Sequence, residues 1–326
     1  MYLTGKVVEV VKFVNNKLMK KIGMIAAAIL MQFTLFAQVQ NSIVQKDSFY
    51  SPSVQLQLKY TVILPVTYNK NTTKKYTVVY ILHGHTGNYT SWITYAKLPV
   101  ELATQYNCII ILPDGGNSWY VNWTGQTDGK QQRWEDMLVK DLIPDADRKY
   151  RTLANKNNRA IGGLSMGGYG ALAVGLKNAD KFGFIFSTAG AINFCKNIKS
   201  EMARDTLDLN SPQLWSDGDR KIDVKNFSTQ KERTPMGLVF KTAADADVYD
   251  PYLLLAKTDT ASLPFIHIDC GNKDDFIKDA FEFVQQVKVK TTKYSFITFP
   301  GEHEVPYWEQ SIRHTFLLMK QVKFFK

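Results

Sequence analysis

The pentapeptide Gly-Leu-Ser-Met-Gly at residues 163–167 is the feature that most restricts how this chain can fold. It fits the pattern G-x-S-x-G, and it lies between an apolar run at 159–163 and a run rich in small residues at 167–173. In that pattern a strand turns sharply into a helix, and a Cβ on either glycine would collide with the sheet or the helix. The sequence predicts such a turn with Ser165 as a nucleophile; the alternative is a glycine-rich turn without chemistry.

Short apolar, β-branched runs alternate with longer helical patterns along most of the chain. The predicted strands are 55–64, 76–82, 108–112, 159–163, 182–187, 265–269 and 294–299. The predicted helices are 92–105, 131–150, 166–177, 276–290 and 306–322. This alternation predicts an α/β-hydrolase fold, with a mostly parallel central sheet flanked by helices. The strand at 55–64 is expected to be an antiparallel edge.

The polar stretch at 193–262 interrupts this rhythm. So long a connection between two strands is usually functional, and we expect a small cap-like excursion over the site. Residues 38–326 are otherwise expected to form a single domain.

The first 37 residues resemble a secretory leader. Lys20 and Lys21 precede an apolar run at 22–36, and Ala37 is a candidate cleavage position. The run is short for a membrane span, so we expect an exported protein, periplasmic or extracellular, whose true start is Met19. A retained N-terminal anchor is the alternative, and no stable membrane insertion is expected after leader removal.

Charge and cysteine content exclude two classes of protein. The chain carries a formal charge of +10, and removing the leader, with five lysines and one glutamate, leaves +6. That excess is spread out rather than gathered in a basic run with aromatics, so no nucleic-acid partner is expected. The cysteines Cys108, Cys195 and Cys270 match neither a disulfide framework nor a metal motif.

The general base of a serine hydrolase with this turn must follow the nucleophile in the chain. Three histidines do so: His267 within an apolar run, His314 on a helical pattern, and His303 in a loop after the last predicted strand. A base on such a loop can reach over the nucleophile, so His303 is the predicted base.

The acid is expected at the end of the strand that precedes the helix at 276–290. Asp274 lies three residues after Gly271, where a carboxylate can accept the Nδ1–H of the base. Asp275 is the fallback. Asp269 is expected to point along the strand or to cap the turn.

Two backbone N–H groups are predicted to form the oxyanion hole. One belongs to Met166, directly after the nucleophile, and the other to His85, in a loop after an early strand where Gly84 permits close approach. Metal binding by the His-Gly-His triplet is the alternative. Carboxylate or histidine partners at ligand spacing are missing nearby, and neither a metal nor an organic cofactor is expected.

Taken together, these motifs resemble the esterase D-like family of α/β-hydrolases. The resemblance extends over most of residues 50–322, and the elbow and the His303 loop are its most specific parts. It is carried by residues 82–87 with Trp92, 112–116 with 118–120, 141–144, 163–171, 274, and 300–303 with 307–308.

That family includes tributyrin-type esterases, S-formylglutathione hydrolases, mycolyltransferases, and the feruloyl and acetylxylan esterases of carbohydrate esterase family one. The resemblance implies a catalytic triad at Ser165, Asp274 and His303, in agreement with the assignment from spacing. Export disfavours the formylglutathione branch, which more often has a cysteine where this chain has Thr86.

The substrate is less constrained than the chemistry. Trp119 and Tyr120 follow a strand end, where aromatics can bind a sugar or a phenolic acyl group or can pack under the cap. The family pattern adds Trp92 and Trp308 as candidate substrate-binding residues. We expect an esterase for acetyl or feruloyl groups of polysaccharides. Alternatives are a short-chain carboxylesterase, an acyltransferase, a formylglutathione hydrolase-like thioesterase and a glycan-binding protein.

Overall fold

An eight-stranded sheet forms the centre of the fold, and the candidate functional residues lie in loops that follow the carboxyl ends of its strands. The computed structural model describes residues 42–96, 98–127, 129–203 and 236–325. The strands are β1 (Ile43–Ser51), β2 (Leu56–Leu64), β3 (Val78–Leu82), β4 (Ile109–Pro113), β5 (Asn122–Thr127), β6 (Lys130–Arg133), β7 (Arg159–Leu164), β8 (Phe184–Thr188), β9 (Phe265–Gly271) and β10 (Tyr294–Phe299). The main sheet has the order β1-β2-β4-β3-β7-β8-β9-β10, and β5 pairs with β6 separately. All neighbours from β4 to β10 in this order are parallel, as predicted.

Helices cover both faces of the sheet. They are α1 (Ser91–Tyr95), α2 (Leu98–Gln105), α3 (Trp134–Asp136), α4 (Ile143–Lys149), α5 (Met166–Lys177), α6 (Phe194–Ala203), α7 (Met236–Val239), α8 (Ala243–Asp247), α9 (Pro251–Lys257), α10 (Ile277–Lys290) and α11 (Val305–Gln321). Short 3₁₀ turns lie at Lys156–Asn158 and Thr260–Ser262.

The central strands are buried on both sides because each face meets helices. Every residue of β3, β4 and β8 is buried, which explains the unbroken apolar sequences of β3 and β4 and the apolar first three residues of β8. One apolar cluster packs residues of α5 and α10 on the sheet, and a second packs residues of α1, α2 and α11 on the other face. The expected α/β-hydrolase architecture is therefore present, and the parallel strand ends collect the candidate residues.

The structure corrects the prediction at the antiparallel end of the sheet. The strand expected at the edge, now β2, pairs with β4 on one side and with β1 on the other. The middle of β1, residues 45–48, is polar, and only two of the nine residues of this strand are buried, because β1 is the edge strand of the sheet. Because an exposed edge strand needs few apolar residues, the sequence of β1 lacks the apolar pattern from which a strand is predicted.

Two predicted helices are also divided. The region expected as a helix over 92–105 forms α1 and α2, and the region expected over 131–150 begins with β6 and continues as α3, a π-helical turn at Met137–Leu142, and α4. Pro144 follows this wide turn, and since proline has no N–H, a regular α-helical bond is missing there.

The excursion at 193–262 is described only in part, since residues 204–235 lie outside the described ranges. Its described segments pack into the main core, where Phe194, Phe240 and Tyr249 are buried. A Cβ on Gly125 in β5 would lie 2.9 Å from the Cα of Leu238, so β5 and α7 touch through their backbones. The closure of this excursion over the site as a cap stays a prediction.

The predicted leader, residues 1–37, lies outside the described part of the chain. Within the described ranges, no helix combines the length and the apolar character needed to cross a membrane.

Candidate active site

Ser165 occupies a strained turn between β7 and α5. Its φ of +55° and ψ of −120° are unusual for a residue with a side chain, and such conformations cost about 1–3 kcal/mol. A Cβ on Gly163 would lie 2.7 Å from the carbonyl oxygen of Gly167, and a Cβ on Gly167 would lie 2.6 Å from that of His83. Both glycines are needed for backbone contact, as the sequence predicted.

Backbone hydrogen bonds on both sides hold this turn. The N–H of Ser165 donates to the carbonyl oxygen of Thr188 at 3.0 Å. The carbonyl oxygen of Ser165 accepts from the N–H of Tyr169 at 3.1 Å and of Ala191 at 3.2 Å. Because neighbouring elements fix the backbone so fully, the strained conformation of the serine is maintained.

The helix that follows presents N–H groups close to the serine. Its first intrahelical hydrogen bond runs from the N–H of Tyr169 to the carbonyl oxygen of Ser165, so the N–H groups of residues 166–168 have no acceptor within the helix. The helix dipole also makes this end favourable for negative charge. The amide of Met166 thus lies where an oxyanion donor is needed, although that role stays a prediction.

The loop after β3 lies against the same turn. A Cβ on Gly84 would lie 2.6 Å from Cδ1 of Leu164 and 3.4 Å from Cβ of Ser165, so the loop approaches the turn closely at this glycine and a larger residue would displace the Leu164 side chain. His85 is the next residue, half-buried, and burial lowers the pKa of its imidazole to about 4. At neutral pH the His85 side chain is therefore uncharged, and the oxyanion role of its amide stays a prediction.

His83 organises this loop, a function that the sequence analysis missed. Its Nε2 accepts from the N–H of Gly115 at 3.0 Å, and its Nδ1 lies 2.8 Å from the carbonyl oxygen of Gly84. Since Nε2 is the acceptor, the proton is on Nδ1, which donates to that carbonyl. Burial lowers the pKa of His83 and favours this neutral form. In the sequence, the one indication of this role was the position of His83 directly after an apolar strand.

His303 and Asp274 form a hydrogen-bonded pair. Nδ1 of His303 lies 2.8 Å from Oδ2 of Asp274, whose side chain is completely buried, while the imidazole is 33% exposed. The other carboxylate oxygen accepts from the N–H of Phe276 at 2.9 Å. Asp275, the fallback, is exposed. The carboxylate fixes the proton on Nδ1 and leaves Nε2 available to exchange protons.

Two glycines bring the loops of this pair together. A Cβ on Gly271 would lie 2.4 Å from the carbonyl oxygen of Gly301, and the φ of Gly301, +152°, is one that glycine tolerates best. The N–H of Lys273 donates to that same carbonyl oxygen at 3.0 Å. The loops that carry Asp274 and His303 are therefore joined through their backbones.

Aromatic rings flank the His303 imidazole on two sides. The ring of Phe276 meets it edge-on with centroids 5.2 Å apart, and the ring of Trp308 does so at 5.3 Å. Trp308 also lines a small cavity together with Leu164, the neighbour of Ser165.

The other two histidines after Ser165 lie elsewhere. His267 is fully buried in β9, where burial lowers the pKa of its imidazole to about 3. His314 is half-buried on α11, with its ring centroid 5.6 Å from that of His267. Both histidines lie in the regular elements that their sequence context indicated.

Three of the four candidate substrate-binding aromatics are buried. Trp92 is 3% exposed and donates from Nε1 to the carbonyl oxygen of Leu82 at 3.1 Å. Tyr120 is inaccessible, and its hydroxyl donates to the carbonyl oxygen of His83 at 3.0 Å. These two side chains support β3 and its loop. A substrate contact for them stays a prediction.

Trp119 is 4% exposed, and its ring stacks on that of Phe194 with centroids 3.6 Å apart. It also lies 6.2 Å, between ring centroids, from His85. Trp308 is half-buried beside the base. Among the four, Trp308 has the position best suited to contact a substrate.

The described ranges hold no group of three or more histidine, cysteine or acidic side chains arranged to bind a metal. The three cysteines are buried free thiols.

Comparison with known proteins gives matches that extend over most of the chain. The sequence profile of the family described as "Putative esterase" matches residues 51–318. An acetyl esterase of Caldicellulosiruptor saccharolyticus is 26% identical over 292 residues, covering 86% of this chain and 98% of the relative.

Solved structures show the same fold. A substrate-bound fluorophosphonate-binding serine hydrolase of Staphylococcus aureus, FphF, has a TM-score of 0.64 at 23% identity, covering 85% of this chain and 98% of that one. A ferulic acid esterase has a TM-score of 0.64 at 20% identity, covering 86% and 99%.

Proposed function

We propose that this chain is an exported serine esterase that acts on acetyl or feruloyl esters of polysaccharides. It belongs to the esterase family whose profile matches residues 51–318, and it is a carboxylic ester hydrolase. The observation that carries the proposed mechanism is the strained Ser165 turn together with the His303–Asp274 pair. In this proposal Ser165 is the nucleophile, His303 the base and Asp274 the acid of a Ser-His-Asp triad.

The proposed reaction is acyl transfer in two steps. Nε2 of His303 takes the proton of the Ser165 hydroxyl while its oxygen attacks the ester carbonyl, and Asp274 stabilises the imidazolium. The N–H groups of Met166 and His85 hold the oxyanion. His303 then protonates the leaving alcohol, and a water molecule repeats the sequence to release the acid.

The choice of acyl group rests on the relatives. The curated relative aligned over its full length is an acetyl esterase, and one structural neighbour is a ferulic acid esterase. The burial of Trp119 and Tyr120 favours a small acyl group, because these rings are already packed and do not line an open aromatic pocket. A short-chain carboxylesterase is therefore the second candidate.

Export rests on the leader-like sequence. A basic pair at Lys20 and Lys21 followed by the apolar run at 22–36 is typical of a segment removed on secretion. An exported esterase would meet polysaccharides outside the cell, which is the reason for placing its substrates there.

The test is hydrolysis of p-nitrophenyl acetate and methyl ferulate, side by side, by the wild-type protein and by Ser165→Ala. We expect the wild type to hydrolyse the acetate and the variant to lose that turnover. Methyl ferulate turnover that depends on Ser165 would identify a feruloyl esterase. Turnover of the acetate alone would favour a short-acyl esterase, with acetylated xylan as the next substrate.

Two results would contradict the proposal. Turnover that persists in Ser165→Ala would exclude the serine mechanism. Transfer of the acyl group to an added alcohol in preference to water would identify an acyltransferase.

A further inference from the structure

Asp269 is a buried carboxylate that the proposed reaction does not use. It lies in β9, five residues before Asp274, and is fully buried. Its Oδ1 accepts from the hydroxyl of Tyr307 at 3.0 Å, and its Oδ2 accepts from the hydroxyl of Thr188 at 3.0 Å. Burial raises the pKa of Asp269 to about 6, although these hydrogen bonds oppose that rise. A buried carboxyl group is costly, so a site that retains one calls for a role.

One of the two hydroxyl partners leads to the nucleophile. Thr188 ends β8, and its carbonyl oxygen accepts the N–H of Ser165 at 3.0 Å. The N–H of the next residue, Ala189, donates to the carbonyl oxygen of Asp269 at 2.8 Å. The backbone that fixes the serine is therefore held by Asp269 through both its side chain and its main chain.

The other partner leads to the base. Tyr307 lies in the first turn of α11, and its ring packs on Gly301, where a Cβ would lie 2.9 Å from Cδ2 of the tyrosine. Gly301 is two residues before His303. Trp308, which follows Tyr307, meets the imidazole of His303 edge-on.

The sheet order explains why such a connection is useful. Ser165 follows β7 and His303 follows β10, with β8 and β9 between them. Neighbouring strands lie about 4.8 Å apart, so the two reacting side chains come from strands roughly 14 Å apart. Thr188 on β8 and Asp269 on β9 span that gap.

We propose that Asp269 is a positioning residue, whose carboxylate joins the nucleophile turn through Thr188 to the base loop through Tyr307 and so keeps His303 in register with Ser165. This inference rests on the proposed serine mechanism. It adds a residue that acts through others and does not itself touch the substrate.

The central test removes one hydroxyl from the bridge. Tyr307→Phe keeps the ring on Gly301 and deletes only the donor to Asp269. Tyr60→Phe is the matched control, because Tyr60 is also buried and its hydroxyl donates to the carboxylate of Asp47 at 2.9 Å, at the opposite edge of the sheet from β9 and β10. We expect Tyr307→Phe to lower kcat on p-nitrophenyl acetate about tenfold with KM within about twofold, and Tyr60→Phe to retain the wild-type kcat.

A second arm asks whether the two hydroxyls act as one unit. Thr188→Val deletes the other donor with little change of shape. If both bonds serve a single bridge, breaking either one disconnects it, so the double variant loses no more activity than the worse single variant. Equal and independent losses that multiply in the double variant would contradict the bridge.

The third readout separates positioning from stability. The proton shared by His303 and Asp274 gives a downfield NMR resonance, assigned by its loss in His303→Gln. We expect exchange broadening of this resonance in Tyr307→Phe and a sharp line in Tyr60→Phe, even at matched melting temperatures.

A sharp, unshifted line in Tyr307→Phe, or a kcat equal to that of Tyr60→Phe, would overturn the inference. The NMR arm decides the matter even if the wild type fails to hydrolyse esters, a result that would refute only the proposed function.

Discussion

Replacing Asp274 by asparagine isolates the electrostatic and tautomeric function of the acid. In the native structure one carboxylate oxygen accepts the N–H of Phe276 and the other accepts Nδ1–H of His303. In Asp274→Asn the amide oxygen must keep facing the N–H of Phe276, because the amide NH₂ would meet another donor there. The NH₂ group then faces Nδ1 of His303.

This orientation fixes the magnitude of the effect. With a donor opposite it, Nδ1 must be unprotonated, so the proton moves to Nε2 and the imidazole can no longer accept the proton of Ser165. A wrong tautomer of this kind lowers kcat by on the order of 10⁴ in the serine proteases in which it was measured, or roughly 5 kcal/mol of barrier. The substitution slows the chemical step and does not change substrate binding, so KM is expected to stay within about threefold.

The assay is steady-state hydrolysis of p-nitrophenyl acetate, with thermal melting to check that each variant is folded. Asp275→Asn is the matched control, since the neighbouring side chain is exposed and has the same chemistry. We expect this control to retain wild-type kcat. An Asp274→Asn enzyme within tenfold of the wild type, or an equal loss in Asp275→Asn, would refute the assignment of the acid.

Three further predictions concern the turn, the oxyanion loop and the buried carboxyl group. Gly167→Ala would place its Cβ 2.6 Å from the carbonyl oxygen of His83, so we expect a loss of about 1–3 kcal/mol in unfolding free energy by urea denaturation. His85→Ala keeps the backbone N–H and should leave kcat within about threefold. His85→Pro removes that N–H and should lower kcat about 10²–10³-fold in protein that still melts cooperatively. The raised pKa of Asp269, about 6 against 3.8, means that its stabilising contribution is full below pH 3.8 and is lost as pH rises through 6. Urea titrations from pH 4 to 7 should therefore show the wild type losing about 2 kcal/mol more stability than Asp269→Asn over this range.

The parts of the site that the sequence predicted are those that local pattern determines. The turn at Ser165 needs glycines at fixed positions between a strand and a helix, and all of that information lies within fifteen residues. His303 followed by elimination, because only three histidines come after the serine and the other two lie in regular elements.

Local reasoning favoured Asp274 as the acid but kept Asp275 as the fallback. The two carboxylates are adjacent in a turn, and either could begin the helix that follows. Their difference comes from which side chain is buried and from the N–H of Phe276, which depend on how the turn packs against the base loop.

Trp119 and Tyr120 illustrate a second limit. Both residues have positive φ, +60° and +59°, which carries their side chains into the core. A loop of aromatics after a strand end looks available for ligand binding in the sequence, but its backbone conformation is set by tertiary contacts such as the hydroxyl of Tyr120 on His83.

The contacts of Asp269 are nonlocal in the same way. Its partners Thr188 and Tyr307 are 81 and 38 residues away, so no periodicity or motif connects them. The strand order that places β8 and β9 between the two reacting loops is what brings them together.

The central claim is that Ser165 is a nucleophile activated by His303. The most direct measurement is covalent labelling of the folded protein with a fluorophosphonate, followed by intact mass and peptide mapping. We predict one adduct per chain, on Ser165, which is absent in Ser165→Ala and forms far more slowly in His303→Gln. No adduct on the folded wild-type protein, or an adduct on another residue that persists in Ser165→Ala, would contradict it.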